Sequence, residues 1–198
     1  MKIAICSLAG ALLAAGCGGS ATPAPATPEP AAAEPATAEP AAAADANAVF
    51  GPLTVGADYA TYTKVSTAPF PSPTHGNRYV EVYVNDIGLA AYEGQGEMPA
   101  GSVVVKTSWE RAADGSVSQI PGPIFIMARR EAGFSAPHHD WYYAMHWADP
   151  PEKWRARLGG PVYWQSPSAK VNYCWGCHES YDRYLGMVPE KFRTWTQK

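Results

Sequence analysis

Aromatic side chains are missing from the first 48 residues; all 7 Trp, 11 Tyr and 5 Phe of the 198-residue chain lie beyond them. Positive charge is scarce there too, with Lys2 the one base against Glu29, Glu34, Glu39 and Asp45. The overall charge of −3 belongs to that front segment, because the remaining residues balance to zero. The chain therefore lacks the basic excess of a nucleic-acid-binding domain. It also lacks a run of about 18 apolar residues, which excludes a polytopic helical membrane protein. Cysteine is sparse, with four in all, and Cys6 and Cys17 fall in the front segment. What is present, 46% hydrophobic and 12% aromatic residues, excludes a wholly disordered chain.

The N-terminus supplies an address. Lys2 precedes an apolar stretch, Ile3–Ala15, too short to span a bilayer, which predicts an export signal over residues 1–16. Leu13-Ala14-Ala15-Gly16-Cys17 resembles a bacterial lipobox, so Cys17 is the expected lipidated residue. Gly18 follows it with no Asp there, which by resemblance to other bacterial lipoproteins favours the periplasmic face of an outer membrane. Residues 17–49 hold Ala, Thr, Glu and Pro in low-complexity order, with six of the 19 prolines between Ala21 and Ala44. Too little bulky apolar surface exists there to offset ordering entropy, and proline stiffens the segment into an extended tether.

The domain is expected over residues 50–198. Tyr79–Val84 alternates with period two, predicting a strand with three valines on one face. Asn85 or Asp86 can cap a short helix over Ile87–Glu93, ended by Gly94. A strand follows over Ser102–Glu110, then a turn at Asp114-Gly115. A third strand is expected over Val117–Arg129, with Pro121 and Pro123 marking an edge or bulge. Trp141–Trp147 alternates again, Pro150-Pro151-Glu152 opens a helix through Leu158, and a last helix is expected over Val171–Leu185. The fold class is α+β, an antiparallel β-sheet with short helices.

One motif carries specific chemistry. Cys174-Trp175-Gly176-Cys177-His178 is C-x-x-C-H, the c-type haem attachment sequence. Two thiols three residues apart share one face of a helical turn and can each join a haem vinyl group. His178, next in line, is positioned as the proximal iron ligand. Export agrees, since this attachment takes place outside the bacterial cytoplasm. A redox C-x-x-C would want a βαβ setting, and a zinc site would want a second ligand pair; neither is present. Only 20 residues follow His178, and Met187 would lie about 14 Å along a continued helix, poorly placed for the opposite haem face. Met98, Met127 and Met145 remain formal sixth ligands. The 13 domain prolines and alternating strands argue against a four-helix cytochrome. The expectation is one haem c with an open distal position.

The order of features resembles the cytochrome P-460 family. It rests on Val80–Gly94, on Met98–Lys106 as a Gly-x-Val-x-Val-Lys strand, on Gly133-Phe134 with Asp140-Trp141-Tyr142, and on the closing C-x-x-C-H. The resemblance spans roughly Leu53–Pro189 and implies an α+β homodimer with five-coordinate haem c. It further implies a lysine bond to the haem rim, which maps onto Lys106, and oxidoreductase chemistry on hydroxylamine or a similar small nitrogen compound. The related cytochrome c′-beta lacks the lysine bond and binds nitric oxide or carbon monoxide; a simple electron carrier is a third reading. A redox partner protein is implied but not identified. On the residues alone, Lys106 is equally a solvated strand lysine. Hydroxylamine oxidation needs a distal proton acceptor. Position after the aromatic strand makes Asp149 the candidate, with Asp140 and Glu131 as alternatives, although Asp149 also suits a helix N-cap before Pro150-Pro151. His146 is expected as an ordinary half-buried histidine, and His138-His139 as exposed loop residues.

Overall fold

The computed structural model describes residues 53–94 and 96–196. The expected signal (1–16), Cys17, the tether (17–49) and Phe50 lie outside the described residues. Among those described, one eight-stranded antiparallel sheet forms the body. Its strands are β1 (Thr63–Lys64), β2 (Phe70–Ser72), β3 (Arg78–Val84), β4 (Val103–Arg111), β5 (Val117–Pro121), β6 (Ile124–Arg129), β7 (Trp141–Trp147) and β8 (Val162–Gln165). The spatial order is β1-β3-β4-β6-β7-β8, with β2 also paired to β3 and β5 to β4. Three short helices, α1 (Asp86–Glu93), α2 (Glu152–Leu158) and α3 (Asn172–His178), complete an α+β fold. None of the described helices is long and apolar enough to cross a membrane.

Register decides which side chains meet. Val84, Val104, Met127 and Tyr143 form one row across the sheet, and Val82, Lys106, Phe125 and Met145 the next. Period two puts both rows on one face and Tyr83, Val105, Ile126 and Ala144 on the other. The first face is covered by Tyr92 of α1 and by Val171, Leu185 and Val188 of the C-terminal segment. Leu53, Val55, Tyr59 and Tyr62 cover the second. Asn85 locks α1 to the sheet: its Oδ1 accepts from Gly88 N at 3.1 Å and Val103 N at 2.9 Å, and its Nδ2 donates to Gly101 O at 2.9 Å.

Two expected elements are shorter than their sequence signals. The run Val117–Arg129 divides into β5 and β6 at Gly122-Pro123, because β4 carries a bulge between Trp109 and Arg111. Gly122 N donates to Ser108 O at 2.7 Å, and Ser108 Oγ donates to Pro123 O at 2.6 Å. The last helix ends at His178 rather than Leu185. Ser180 Oγ takes the Cys177 carbonyl at 2.8 Å, and Arg183 and Tyr184 adopt left-handed φ of 52° and 62°. Arg183 is held in that bend by Ala91 O at 2.7 Å and Gly96 O at 3.0 Å. Strands β1, β2 and β8 had no counterpart in the sequence reading; none exceeds four residues.

The β5–β6 break sits over a buried cation. Arg78 lies 4.9 Å from the Trp147 ring centroid and 3.7 Å from the Glu110 carboxylate. A Cβ on Gly122 would meet Ser108 Oγ and stand 2.6 Å from Arg78 Nη1. Gly122→Ala should therefore cost about 1–3 kcal/mol by overpacking, read as a lowered midpoint in chemical denaturation. An unchanged midpoint would show that Arg78 moves aside freely.

Candidate haem site

Helix α3 carries Cys174, Cys177 and His178 within two turns. Both cysteines are free thiols, Cys174 half-buried and Cys177 exposed. Beside them opens a cavity of about 410 Å3. Its sheet side is Val104, Lys106, Phe125, Met127 and Tyr143, from the two rows described above. Its other walls are His178 at the end of α3, Tyr181, Gly186 and Met187 beyond it, and Ser72 of β2 and His75 from the turn joining β2 to β3.

The left-handed bend after α3 fixes the imidazole. It returns the Tyr184 carbonyl to 2.7 Å from His178 Nδ1. A carbonyl only accepts, so Nδ1 carries the proton and Nε2 keeps its lone pair. Burial, aided by the nearby Lys106 charge, pulls the His178 pKa down to about 4, with the Tyr184 carbonyl opposing. The ring is thus neutral near pH 7, the form a metal ligand requires.

Lys106 is not a solvated lysine. It is 6% exposed, and its Nζ donates to Gly186 O at 3.2 Å. Burial lowers its pKa from 10.5 to about 8, against a smaller opposing effect of Cys174. Gly186 lets it approach the imidazole: the point a Gly186 Cβ would occupy is 3.3 Å from Lys106 Nζ and 3.7 Å from His178 Cε1.

These residues suit an iron porphyrin held through two thioethers. The cavity offers the free Nε2 of His178, two thiols on one helical face and mostly apolar walls. The Tyr143 hydroxyl on its sheet side is buried without a hydrogen-bond partner among the described residues. Burial pushes the Cys174 thiol up to about 12, so it persists as S–H rather than thiolate. Among the described residues no group of three or more His, Cys, Asp or Glu is arranged to hold a bare metal ion, which disfavours a zinc centre.

The sequence-derived acids are elsewhere. The Asp149 side chain is 90% exposed and binds Arg155 at 2.6 Å, away from the cavity. Asp140 Oδ1 accepts from Gly133 N at 3.1 Å and Ser135 N at 2.8 Å, shaping its own loop, and Glu131 is exposed. No carboxylate lines the cavity among the described residues. His146 is half-buried outside the cavity, 4.8 Å from the Tyr163 ring. His139 is exposed, as expected, and His138 is half-buried; His139 stacks on Tyr184 at 4.6 Å and His138 lies 5.4 Å from Trp175. Met98 lies outside the cavity and Met145 accepts the Tyr173 hydroxyl at 3.2 Å. Met127 and Met187 line the cavity, Met187 because α3 stops and the chain doubles back. His75 was not legible beforehand, since a single histidine in the Pro-Ser-Pro-Thr-His-Gly-Asn turn has no periodicity or partner spacing.

Burial of Lys106 has a pH signature. Between pH 8 and 10.5 the unfolded chain binds more protons than the folded one, so stability rises with pH across that window. In denaturation of the haem-free chain, wild type should gain on Lys106→Met by about 3 kcal/mol across that window. Parallel curves would show the amine to be solvated.

The sequence model described as Cytochrome P460 matches residues 56–184 of the chain. No curated protein matches it.

Proposed function

Because the chain belongs to the cytochrome P460 family, and so is a haem-binding cytochrome, we propose that it is an exported, lipid-tethered, single-haem c-type protein acting on hydroxylamine or a similar small nitrogen compound. The observation that carries this reading is one cavity bounded at once by Cys174, Cys177, His178 and Lys106. When bound, haem supplies a one-electron redox centre with an iron that accepts small nitrogen ligands. The thiols of Cys174 and Cys177 would join it by addition across the two vinyl double bonds, sulfur to one carbon and hydrogen to the other, with no net oxidation. His178 would hold the iron through Nε2, its Nδ1–H being engaged by the Tyr184 carbonyl.

Lys106 supports the rim bond that the family resemblance suggests. Its amine is neutral above about pH 8 and stands inside the cavity. Replacing a rim C–H by C–N removes two electrons, so the bond needs an oxidant such as peroxide. The signal at residues 1–16, Cys17 and the tether support periplasmic export on a lipid anchor in the outer membrane; a homodimer and a separate redox partner complete the proposal. A second reading, non-catalytic binding of nitric oxide or carbon monoxide, is favoured by the carboxylate-free lining described above.

Peptide mapping of protein matured in a cytochrome c-competent periplasm should find haem on the Cys174–Cys177 peptide and a second attachment at Lys106. Lys106→Ala should keep the thioethers, lose that attachment, shift the absorption spectrum and lower hydroxylamine oxidation at least tenfold with a dye acceptor. A free Lys106 with an unshifted variant spectrum would leave the gas-binding reading in its place.

A further inference from the structure

The hairpin of β2 and β3 ends in a tight turn, Pro73–His75, closed by Gly76 and Asn77 at left-handed φ of 75° and 55°. This turn folds the His75 ring onto the haem-side face of the sheet. The ring stands edge-on to Phe125, with centroids 4.8 Å apart, and both residues line the cavity. Its centroid is 6.4 Å from that of His178. Two imidazoles bound to one metal through bonds of about 2 Å hold their centroids about 6 Å apart. Each ring also has its Nδ1 occupied, His178 by Tyr184 O and His75 by Ser72 Oγ, both at 2.7 Å. In the tautomer whose Nδ1–H donates to the serine oxygen, the lone pair of His75 is on Nε2, the arrangement that orients a ligating histidine.

We infer that His75 is the second axial ligand of the haem iron, and that a small nitrogen ligand enters only by displacing it. This rests on the haem c reading above and replaces the expected open distal position with a closed, exchangeable one. The hairpin tip is a single 3-10 turn, Pro73–His75, and the His75 ring is held there by hydrogen bonds of Nδ1 with Ser72 Oγ at 2.7 Å and Thr74 Oγ1 at 3.4 Å and by its edge-on contact with Phe125. Displacement therefore breaks one iron–nitrogen bond and forms another, with no change in oxidation state, while the sheet stays in place.

The test uses matured holoprotein whose thioether haem has been verified by mass. Resting ferric wild type should be low-spin in electron paramagnetic resonance, with the near-infrared magnetic circular dichroism band of two imidazoles. His75→Ala should turn high-spin, return to low-spin with added imidazole, and bind carbon monoxide in the ferrous state at least tenfold faster. His75→Met, which keeps the bulk of the side chain, should lose the two-imidazole band. A high-spin wild type, or variants with the wild-type spectrum and carbon monoxide rate, would overturn the assignment while leaving covalent haem intact. Protein without covalent haem would instead overturn the reading beneath it, and the assignment with it.

Discussion

The hydrogen bond from His178 Nδ1–H to the Tyr184 carbonyl is the constraint on which the site depends. It requires α3 to stop at His178 and the chain to turn back at once. Two left-handed residues provide the turn, Arg183 ties it to the end of α1, and Tyr184 packs in one cluster with His139 and Trp175. A helix continued through Leu185 would carry the Tyr184 carbonyl away from the ring. The same reversal brings Gly186 and Met187 to the cavity, so one bend orients the imidazole, positions a carbonyl for Lys106 and forms a wall.

The sheet supplies the opposite side through register alone. Lys106 faces the cavity because it pairs with Val82 and Phe125, whose parity is that of the core valines. Burying an amine with one carbonyl partner opposes folding of the haem-free chain. Such a cost is tolerated where the group has chemistry to do. The aromatic content has a similar logic: Phe125, Tyr143, Tyr173 and Tyr181 all border the cavity.

Much of this was legible in the sequence, for reasons that differ by residue. The parity of Val80, Val82 and Val84, the Asn85 cap and the strand Trp141–Trp147 follow from periodicity and local hydrogen bonding, and the structure has all three. The C-x-x-C-H motif placed its own three residues because their spacing is local. The end of α3 was not legible, since Arg183 and Tyr184 are poor predictors of left-handed backbone and are held there by distant α1. Asp149 was sought at the cavity from its position after a strand, but exposure and Arg155 claim it. His75 reaches the site through a hairpin between β2 and β3, a contact that no local pattern encodes.

The central claim is that the C-terminal motif holds an iron porphyrin against the sheet face that carries Lys106. Locating the iron by anomalous scattering in crystals of the matured protein tests it most directly. The account predicts iron at bonding distance from His178 Nε2, inside the cavity bordered by Val104, Lys106 and Phe125. Iron bound elsewhere on the chain, or a porphyrin lying outside that cavity, would contradict it.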